Sequence, residues 1–350
     1  MNNHESAFQK IIKLAASEAG LAPDLIAHRM VHGGSRYQGS VLVDPSFLEA
    51  LDKIKHLAPS QNPPATRVIH ACGQLCPGLP QVVAFDTAYH ATIPEYAYTC
   101  ALPMELRDSL GLRKYGFHGI SHEYVVNKAA DFQWHPLEKF NAVSCHLGSG
   151  GASLCAVRHG RSIENTMGYS PLQGLIMSTR CGDLGPAVTM QLLARTNGDL
   201  KRVEALLNRR SGVLGHSGVS AGICYILLKC ARTNQDPSCR RTAEIYLWRL
   251  RKYLGAYLTI VGSADAIIFT GTIGEEVAEV RSAMCSGMEV FGLALNEERN
   301  HNLTRLPADI AASEGMVRIL VIPTNEELAI AHKAYAMVGV DRLHNRKAVA

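Results

Sequence analysis

Apolar and polar residues recur along the chain in two rhythms, which together predict helices interleaved with strands. Phe8, Ile11, Ile12 and Ala15 follow the helical spacing near the start. A much longer helix is predicted over 241–261, where apolar residues continue along one face. A final helix is predicted from about Asn325. The N-terminal region, the middle and the C-terminal end of the chain therefore each contribute a helix.

Short apolar runs between polar or glycine residues predict the strands. The runs are 25–31, 68–70, 81–85, 142–147, 152–157, 264–269 and 319–322. The runs 142–147 and 152–157 flank a glycine turn, and this arrangement predicts a β-hairpin. Helices that alternate with such runs are typical of an α/β fold.

Composition narrows the class of protein. A chain of 350 residues, 47% hydrophobic and 19% charged, is globular and long enough for two domains. The net charge of +4 is spread along the chain, which argues against a nucleic-acid partner. Without a run of about 18 apolar residues, a membrane span is not expected. The ten scattered cysteines and the polar start favour reduced thiols and a cytoplasmic location.

Two charged residues lie at the ends of predicted strands on the N-terminal side. Arg29 precedes the pair Gly33-Gly34, where a missing side chain lets a phosphate approach the backbone. Asp86 follows an apolar strand, the position where open α/β sheets place their ligands. Asp86 is therefore a candidate for orienting a metal or a reacting group. The structural alternatives are a surface arginine in a turn and a capping aspartate.

Histidines and glycines form the next group of motifs. His118 lies between Phe117 and a glycine, and it is the better active-site candidate. His122, four residues later, is interpreted as a packed, hydrogen-bonded histidine. The segment 146–153 is a glycine-rich hairpin that offers backbone N–H donors to a phosphate. It lacks the Gly-Lys-Ser/Thr of a P-loop and the strand–turn–helix context of a dinucleotide site.

Three later segments complete the set. Arg180 suits bidentate contact with phosphate or carboxylate, although it has Asp183 as a nearby alternative partner. The segment 269–276 predicts a strand, a glycine turn and a helix N-terminus, the geometry of a nucleotide pocket. Thr272 with Glu275 and Thr324 with Glu327 are alternatively interpreted as capping boxes. Glu326 is left over as a candidate Mg²⁺ ligand through water.

In this order the motifs resemble those of the acetate kinase family, which comprises acetate, propionate and butyrate kinases of the actin-like, sugar-kinase-like superfold. The resemblance runs from about Ile26 to Ala331. It implies an α/β, two-domain actin-like (ribonuclease H-like) fold. Residues 1–87 with 326–350 would form the first domain, and residues 88–325 the second, with the nucleotide-side motifs.

The resemblance also implies an activity and a set of roles. Such enzymes reversibly transfer the γ-phosphoryl of ATP to a short carboxylate with Mg²⁺, giving ADP and an acyl phosphate, and they are commonly homodimers. Arg29 and Arg180 would hold the carboxylate and the transferring phosphoryl, Asp86 would lie near the metal, and His118 would donate to the transferring group. The other implied residues are Val31, Phe117 and Pro171 around the acyl tail, His146, Gly148, Gly150, Gly271 and Gly274 at the nucleotide and phosphates, and Glu326 at Mg²⁺.

The chain departs from the family pattern in several places. The family's Asn-x-Gly-Ser-Ser-Ser phosphate loop and the opening strands around it are missing, so the first domain is expected to be truncated at its N-terminus. The segment 220–224 lacks the family's acid and base, and the family's Gly-Glu-Asn reads Gly274-Glu275-Glu276. Three alternatives follow: a catalytically impaired or regulatory homologue, a fragment of a full-length kinase, or a sugar kinase of the same superfold.

Overall fold

The computed structural model describes residues 3–18, 23–59, 61–232 and 236–339. Contacts divide the chain into two compact units. Unit 1 comprises Met1–Ala91 and Asn325–Ala350, and unit 2 comprises Thr92–Thr324. The predicted division into 1–87 with 326–350 and 88–325 concerns domains that fold and act as units, and it stays a prediction.

Unit 1 combines helices with a small sheet. Its elements are α1 (Asn3–Glu18), β1 (Ile26–Met30), β2 (Val41–Leu42), α2 (Pro45–Ile54), α3 (Asn62–Leu75), β3 (Gln81–Phe85) and α15 (Glu326–Val338). The described strands have the order β1–β3–β2, with β1 parallel and β2 antiparallel to β3. The last helix that the structure describes, α15, packs against β1 and β3.

Aromatic stacking fixes the core of unit 1 beside β3. The Tyr37 ring lies parallel to the Phe85 ring with centroids 5.2 Å apart, and Phe47 meets both rings edge-on. The chain after β1 crosses directly over this cluster. A Cβ at Gly33 would lie 2.8 Å from the Tyr37 carbonyl oxygen and 3.0 Å from the Phe85 ring. Only glycine fits that approach, so packing alone explains the first glycine of the predicted phosphate motif.

Unit 2 carries the larger sheet. Its helices are α4 (Glu95–Tyr98), α5 (Met104–Leu110), α6 (Gly119–Phe132), α7 (Pro186–Arg195), α8 (Leu200–Arg209), α9 (Gly212–Ser217), α10 (Ile223–Arg232), α11 (Pro237–Val261), α12 (Gly271–Glu276), α13 (Ala278–Cys285) and α14 (Glu297–His301). Its strands are β4 (Ala142–Leu147), β5 (Ala152–Arg158), β6 (Arg161–Asn165), β7 (Ala266–Thr270), β8 (Ala308–Asp309) and β9 (Arg318–Val321). The described strands have the order β6–β5–β4–β7–β9–β8, and β4, β7 and β9 run parallel.

The predicted hairpin and long helix are both present. β4 and β5 pair antiparallel around the glycine turn. α11 begins four residues earlier than predicted and buries Leu250, Leu254 and Val261, so its apolar face belongs to the core of unit 2. β7 is buried along its whole length, as expected for a central strand of a covered sheet. No helix among the described residues is long and apolar enough to cross a bilayer.

Two predictions of local structure are wrong. The run 68–70 lies inside α3 and not in a strand, because Ile69 and Cys72 bury one face of a helix at a spacing of three. The predicted capping boxes are also displaced. Thr270 is the N-cap of α12, and Asn325 is the N-cap of α15, where its Oδ1 accepts from Leu328 N at 2.9 Å. Local competition between neighbouring polar residues decides such starts.

The start of α11 is held by one carboxylate. Asp236 accepts hydrogen bonds from the backbone N–H groups of Ser238 and Cys239 at 3.1 and 3.2 Å, and from Lys229 Nζ at 2.8 Å. The Lys229 bond, followed by those of Ser238 and Cys239, lowers the pKa of Asp236 from its ordinary value. The folded protein therefore binds this proton less tightly than the unfolded chain, and the carboxylate stabilises the fold only while it is charged.

We expect Asp236→Ala to lower the thermal unfolding midpoint at pH 7, because α11 loses its N-cap. The difference from the unchanged protein should shrink as the pH falls below about 4, where an ordinary aspartate becomes protonated. Asp236→Asn keeps a capping oxygen but loses the Lys229 ion pair, so its midpoint should lie between the two. A difference that widens on acidification would contradict this assignment.

Candidate active site

The predicted residues of unit 1 meet at the carboxyl ends of two parallel strands. β1 and β3 pair with Arg29 opposite Ala84 and Met30 opposite Phe85, so Asp86 lies two positions beyond the partner of Arg29, on the same face of the sheet. Arg29 donates to the Asp86 carboxylate from Nε at 3.0 Å and from Nη2 at 2.7 Å. The first residue of α15 completes the group, with Glu326 Oε2 at 3.1 Å from Arg29 Nη1. One guanidinium thus lies between two carboxylates.

Burial and the neighbouring opposite charges shift the pKa values of Arg29, Asp86 and Glu326 in opposite directions. Asp86 is 1% exposed, whereas the Arg29 side chain keeps 42% of its surface open. Burial by itself would lower the pKa of Arg29, but the Asp86 carboxylate, aided by Glu326, outweighs burial and raises it. Burial raises the pKa of the Asp86 and Glu326 carboxyls, and the Arg29 guanidinium opposes both rises. Arg29 is therefore the charge that permits a carboxylate at the Asp86 position.

In unit 2, one face of α6 lies against the sheet face formed by β4 and β5. His118 is the left-handed N-cap of α6, with φ 58°, and Ser121 and His122 follow it at helical spacing. His146 of β4 is paired across the ladder with Ser153 of β5. The His118 and His146 rings are 4.4 Å apart between centroids. The structure thus brings together these two predicted histidines, and it buries His122 as a packed, hydrogen-bonded residue, as predicted.

The glycine turn between β4 and β5 brings His118 and Arg180 together. A Cβ at Gly151 would lie 3.2 Å from His118 Nε2 and 3.7 Å from Arg180 Nη1. Gly148 N–H donates to Gly151 O at 2.9 Å and so closes the turn. Among the described residues, the N–H of Gly150 has no hydrogen-bond partner, which leaves it for a ligand. Of the two predicted phosphate donors, Gly150 is thus the open one.

Arg180 reaches the turn without a carboxylate partner in the described part of the chain. Its Nη1 donates to Pro171 O at 3.1 Å, and its Nη2 lies 3.4 Å from Gly150 O. Burial lowers the pKa of Arg180 from its ordinary value. The alternative partner, Asp183, instead contacts the Tyr253 hydroxyl and lies 3.7 Å from Arg249. Among the described residues, the hydrogen-bond partners of the Arg180 guanidinium therefore include carbonyl oxygens and no carboxylate.

The predicted nucleotide turn packs beside the same hairpin. Gly271 has a φ of +76°, and a Cβ there would lie 2.9 Å from Leu147 O and 3.2 Å from Gly148 N. Glu275 accepts from Gly271 N at 2.8 Å and from Thr324 N at 3.2 Å, which fixes the turn. The buried side chain of Arg281, on α13, donates from Nη1 to Gly274 O at 2.9 Å. Gly271, Gly274 and Gly148 therefore lie close together in unit 2, where Gly271 and Gly274 are themselves buried.

A cavity of about 240 Å³ opens next to this turn, between α10 and α13. Its lining residues are Cys224, Leu227, Leu228, Glu276, Val277 and Glu279. Cys224 and Glu276 are two of the positions where the sequence departs from the family pattern. The cavity is therefore apolar with an acidic rim and has no basic side chain among its lining residues.

The residues predicted around the acyl tail are separated along the chain. Val31 follows β1 in unit 1 and is partly buried. Phe117 and Pro171 belong to unit 2, where Phe117 is 1% exposed and Pro171 is half-buried. Within unit 2, the Pro171 carbonyl oxygen accepts a hydrogen bond from Arg180 Nη1 at 3.1 Å. Their role in binding an acyl tail stays a prediction.

No sequence motif pointed to the serine and threonine hydroxyl groups that surround the histidines. Ser121 Oγ is 2.8 Å from His146 Nδ1 and 2.8 Å from Thr324 Oγ1, while Ser144 and Ser153 contact His122. The sequence did contain one indication of these contacts. His118, Ser121 and His122 share a helix face, and Ser144 and His146 share a strand face. The cross-strand pairing that adds Ser153 depends on the register of the hairpin.

The crowding at Gly151 gives a prediction. We expect Gly151→Ala to reduce kcat/KM of the enzyme by about 100-fold, because displacing catalytic groups by about 1 Å has that effect, while the unfolding midpoint stays close to that of the unchanged protein. Gly150→Ala is the matched comparison, since a Cβ there meets nothing within 4 Å. It should cause a much smaller loss in steady-state assays. Equal losses in the two variants would show that general loop disturbance, and not displacement of His118 and Arg180, is responsible.

Comparison with known proteins agrees with this geometry. The model of the Acetokinase family matches residues 2–332. The chain is 41% identical to acetate kinase of Heliobacterium modesticaldum over 342 residues, which cover 96% of this chain and 85% of that protein. It is 40% identical to acetate kinase of Methanosarcina acetivorans over 335 residues, with coverages of 94% and 81%.

Solved structures give the same result. Porphyromonas gingivalis acetate kinase has a TM-score of 0.90 at 32% identity, covering 97% of this chain and 86% of that one. A propionate kinase from Francisella tularensis has a TM-score of 0.87 at 34% identity, with coverages of 94% and 83%. These likenesses confirm the predicted two-domain actin-like fold class. Because the family model and these relatives cover almost the whole chain, the chain belongs to the Acetokinase family.

Proposed function

We propose that this protein is a short-chain carboxylate kinase. It would reversibly transfer the γ-phosphoryl of ATP to acetate or propionate, giving ADP and an acyl phosphate. The observation that carries the proposal is the convergence of His118 and Arg180 on Gly151, with the Arg180 charge left for an anionic ligand. Membership of the family supports the same reaction.

The residues of unit 2 suit the phosphoryl side of the reaction. Phosphoryl transfer relies on positioning and on neutralising charge that spreads over the transferring oxygens. Arg180 supplies a planar cation, His118 a ring N–H, and the turn an open backbone N–H at Gly150. The backbone around Gly148, packed against the buried Gly271 and Gly274, would take the nucleotide phosphates, with His146 nearby.

The residues of unit 1 suit the carboxylate and the metal. Arg29 keeps nearly half of its surface exposed, so it can pair with a substrate carboxylate while Asp86 fixes its orientation. Asp86 and Glu326 present hard oxygen donors around one point, which fits Mg²⁺, an ion that usually takes one or two carboxylates and substrate phosphates. Among the described residues, no three His, Cys, Asp or Glu side chains form a complete metal site. When bound, Mg²⁺ would neutralise charge on the nucleotide phosphates.

Three further expectations belong to this proposal. Val31, Phe117 and Pro171 would limit the acyl tail to a few carbon atoms. The protein would act in the cytoplasm. It would be a homodimer, and because the apolar face of α11 is buried in unit 2, its exposed opposite face around Trp248, 71% exposed, is the candidate interface. Light scattering after size exclusion would measure the mass of the assembly.

A regulatory or catalytically impaired homologue is the second candidate function. The observation in its favour is the nucleotide-side cavity, where Cys224 and Glu276 stand at positions that depart from the family pattern. Such a protein would bind acyl phosphate or a partner kinase without turnover.

One assay separates the two functions. The purified chain is incubated with ATP and Mg²⁺ and with acetate or propionate, and acyl phosphate is trapped as the hydroxamate. Product that rises with the amount of enzyme and is absent with Arg180→Ala supports the kinase. A folded chain without product on any short carboxylate would contradict the kinase and favour the regulatory homologue. ADP release, measured with a coupled assay, that occurs only when polyols replace the carboxylates would identify a sugar kinase.

A further inference from the structure

Behind His118, three side chains form a continuous line of hydrogen bonds. His118 Nδ1 lies 2.8 Å from Ser153 Oγ, and the same oxygen lies 2.8 Å from His122 Nε2. His122 Nδ1 in turn lies 2.9 Å from Ser144 Oγ. Ser144, His122 and Ser153 are all 0% exposed. The line Ser144–His122–Ser153–His118, here called the hydroxyl–imidazole relay, therefore ends in the protein interior.

The hydroxyl of Ser153 makes the proton positions of the two histidines interdependent. This hydroxyl has one proton, and its side-chain partners among the described residues are the two ring nitrogens. If both nitrogens carried protons, the Ser153 proton would be buried without an acceptor, which is costly. One ring must therefore donate to Ser153 while the other accepts from it. The relay can run in either direction, and the direction sets the tautomer of His118.

Ser144 decides between the two directions. In the part of the chain that the structure describes, His122 Nδ1 is the single hydrogen-bond partner of Ser144 Oγ. If His122 donated to Ser144, the buried Ser144 proton would have no acceptor. The lower-energy arrangement has Ser144 donating to His122 Nδ1, His122 Nε2–H donating to Ser153, and Ser153 donating to His118 Nδ1. His118 then carries its proton on Nε2.

That nitrogen is the one that faces the glycine turn. His118 Nε2 is the atom nearest to the Cβ position of Gly151, at 3.2 Å, with Arg180 Nη1 at 3.7 Å from the same point. We propose that Ser153, supported by His122 and Ser144, is a positioning residue that holds His118 as the Nε2–H tautomer. This inference rests on the proposed function, in which His118 donates a hydrogen bond to the transferring phosphoryl group. A neutral histidine held in this way donates to that anion without first gaining a proton.

The tautomer is measured directly by long-range ¹H–¹⁵N correlation on histidine-labelled protein, with His118 assigned from the signals lost in His118→Gln. The expected result for the unchanged protein is a protonated Nε2 and an unprotonated Nδ1. Ser153→Ala should give a mixture of tautomers, and Ser153→Thr, which keeps the hydroxyl, should restore Nε2–H. A protonated Nδ1 in the unchanged protein, or a single Nε2–H tautomer in Ser153→Ala, would overturn the proposal.

Kinetics and a matched control complete the test. Ser153→Ala is expected to lower kcat by about 10- to 100-fold, the range for partners that orient a functional histidine, with KM for the carboxylate nearly unchanged. Ser144→Ala, which does not touch His118, should shift the tautomer in the same sense but less. Ser162→Ala removes an equally buried hydroxyl of the same sheet, one that contacts Cys155 at 3.3 Å, and should leave the His118 signals unchanged. If the unchanged protein has no kinase activity, the proposed function fails, whereas the tautomer result still decides the relay.

Discussion

Replacing Arg180 with alanine is expected to lower kcat/KM for acyl phosphate formation by about 10³-fold or more, the usual effect of losing an arginine that stabilises a phosphoryl-transfer transition state. The physical reason is that this guanidinium is oriented by carbonyl oxygens and, within the described residues, by no carboxylate. Its charge is therefore available to the transferring group. Initial rates by hydroxamate trapping at varied ATP and acetate measure the effect.

Two further variants make this result specific. Arg180→Lys keeps the charge but loses the planar fork, so its activity should lie between those of the unchanged protein and Arg180→Ala. Arg158→Ala removes another arginine of unit 2, one that donates to Ile260 O at 2.6 Å, and should retain nearly full activity. An Arg180→Ala enzyme within about tenfold of the unchanged protein would exclude a transition-state role for this residue.

Arg29→Ala is expected to affect both stability and activity. It leaves the buried Asp86 carboxylate without its main cation, and we expect a loss of about 3 kcal/mol in the free energy of unfolding, the lower end of the usual cost because the Arg29 side chain is 42% exposed. Activity should fall by about 100-fold or more, since the residue proposed to pair with the substrate carboxylate is lost. Urea unfolding followed by circular dichroism, together with initial rates, measures both.

The pH dependence of the Arg29→Ala defect has a definite sign. Burial raises the pKa of the Asp86 carboxyl, and Arg29 opposes that rise. Without Arg29, the folded protein binds the proton more tightly than the unfolded chain, so the stability deficit should grow as the pH rises from about 5 to 8. The double variant Arg29→Ala/Asp86→Asn removes the buried charge and should regain much of the stability but no activity. A deficit that does not change with pH would show that Asp86 does not depend on Arg29.

The sequence was informative wherever a local pattern carried the signal. The hairpin of β4 and β5, the buried strand β7 and the long helix α11 follow from apolar runs and helical spacing. The run 68–70 was misassigned because three apolar residues do not distinguish a strand from one turn of a buried helix. The N-caps of the helices that begin at 271 and 326 were misassigned, because several neighbouring polar residues compete for the N-cap.

The candidate site shows the same division. Arg29, Asp86, His118 and Arg180 were identifiable because charged or ring side chains lie at strand ends or near glycines. Their contact partners were not identifiable, since no spacing links Arg29 to Glu326 or His118 to Ser153. The choice between the two glycines, with Gly150 open and Gly148 closing the turn, also required the backbone hydrogen bonds.

The sequence by itself therefore determined the fold class, the family and the residue types that can carry phosphoryl transfer, because these depend on periodicity and on the order of short motifs. The tertiary structure alone decided that Asp86 and Glu326 share the Arg29 guanidinium, and that Asp183 contacts Tyr253 and not Arg180. It also decided that side chains from two strands and a helix form a line of hydrogen bonds behind His118. Those contacts join residues up to about 300 positions apart in the chain, as between Arg29 and Glu326. Strand register and helix packing create such contacts, and no local pattern of residues encodes them.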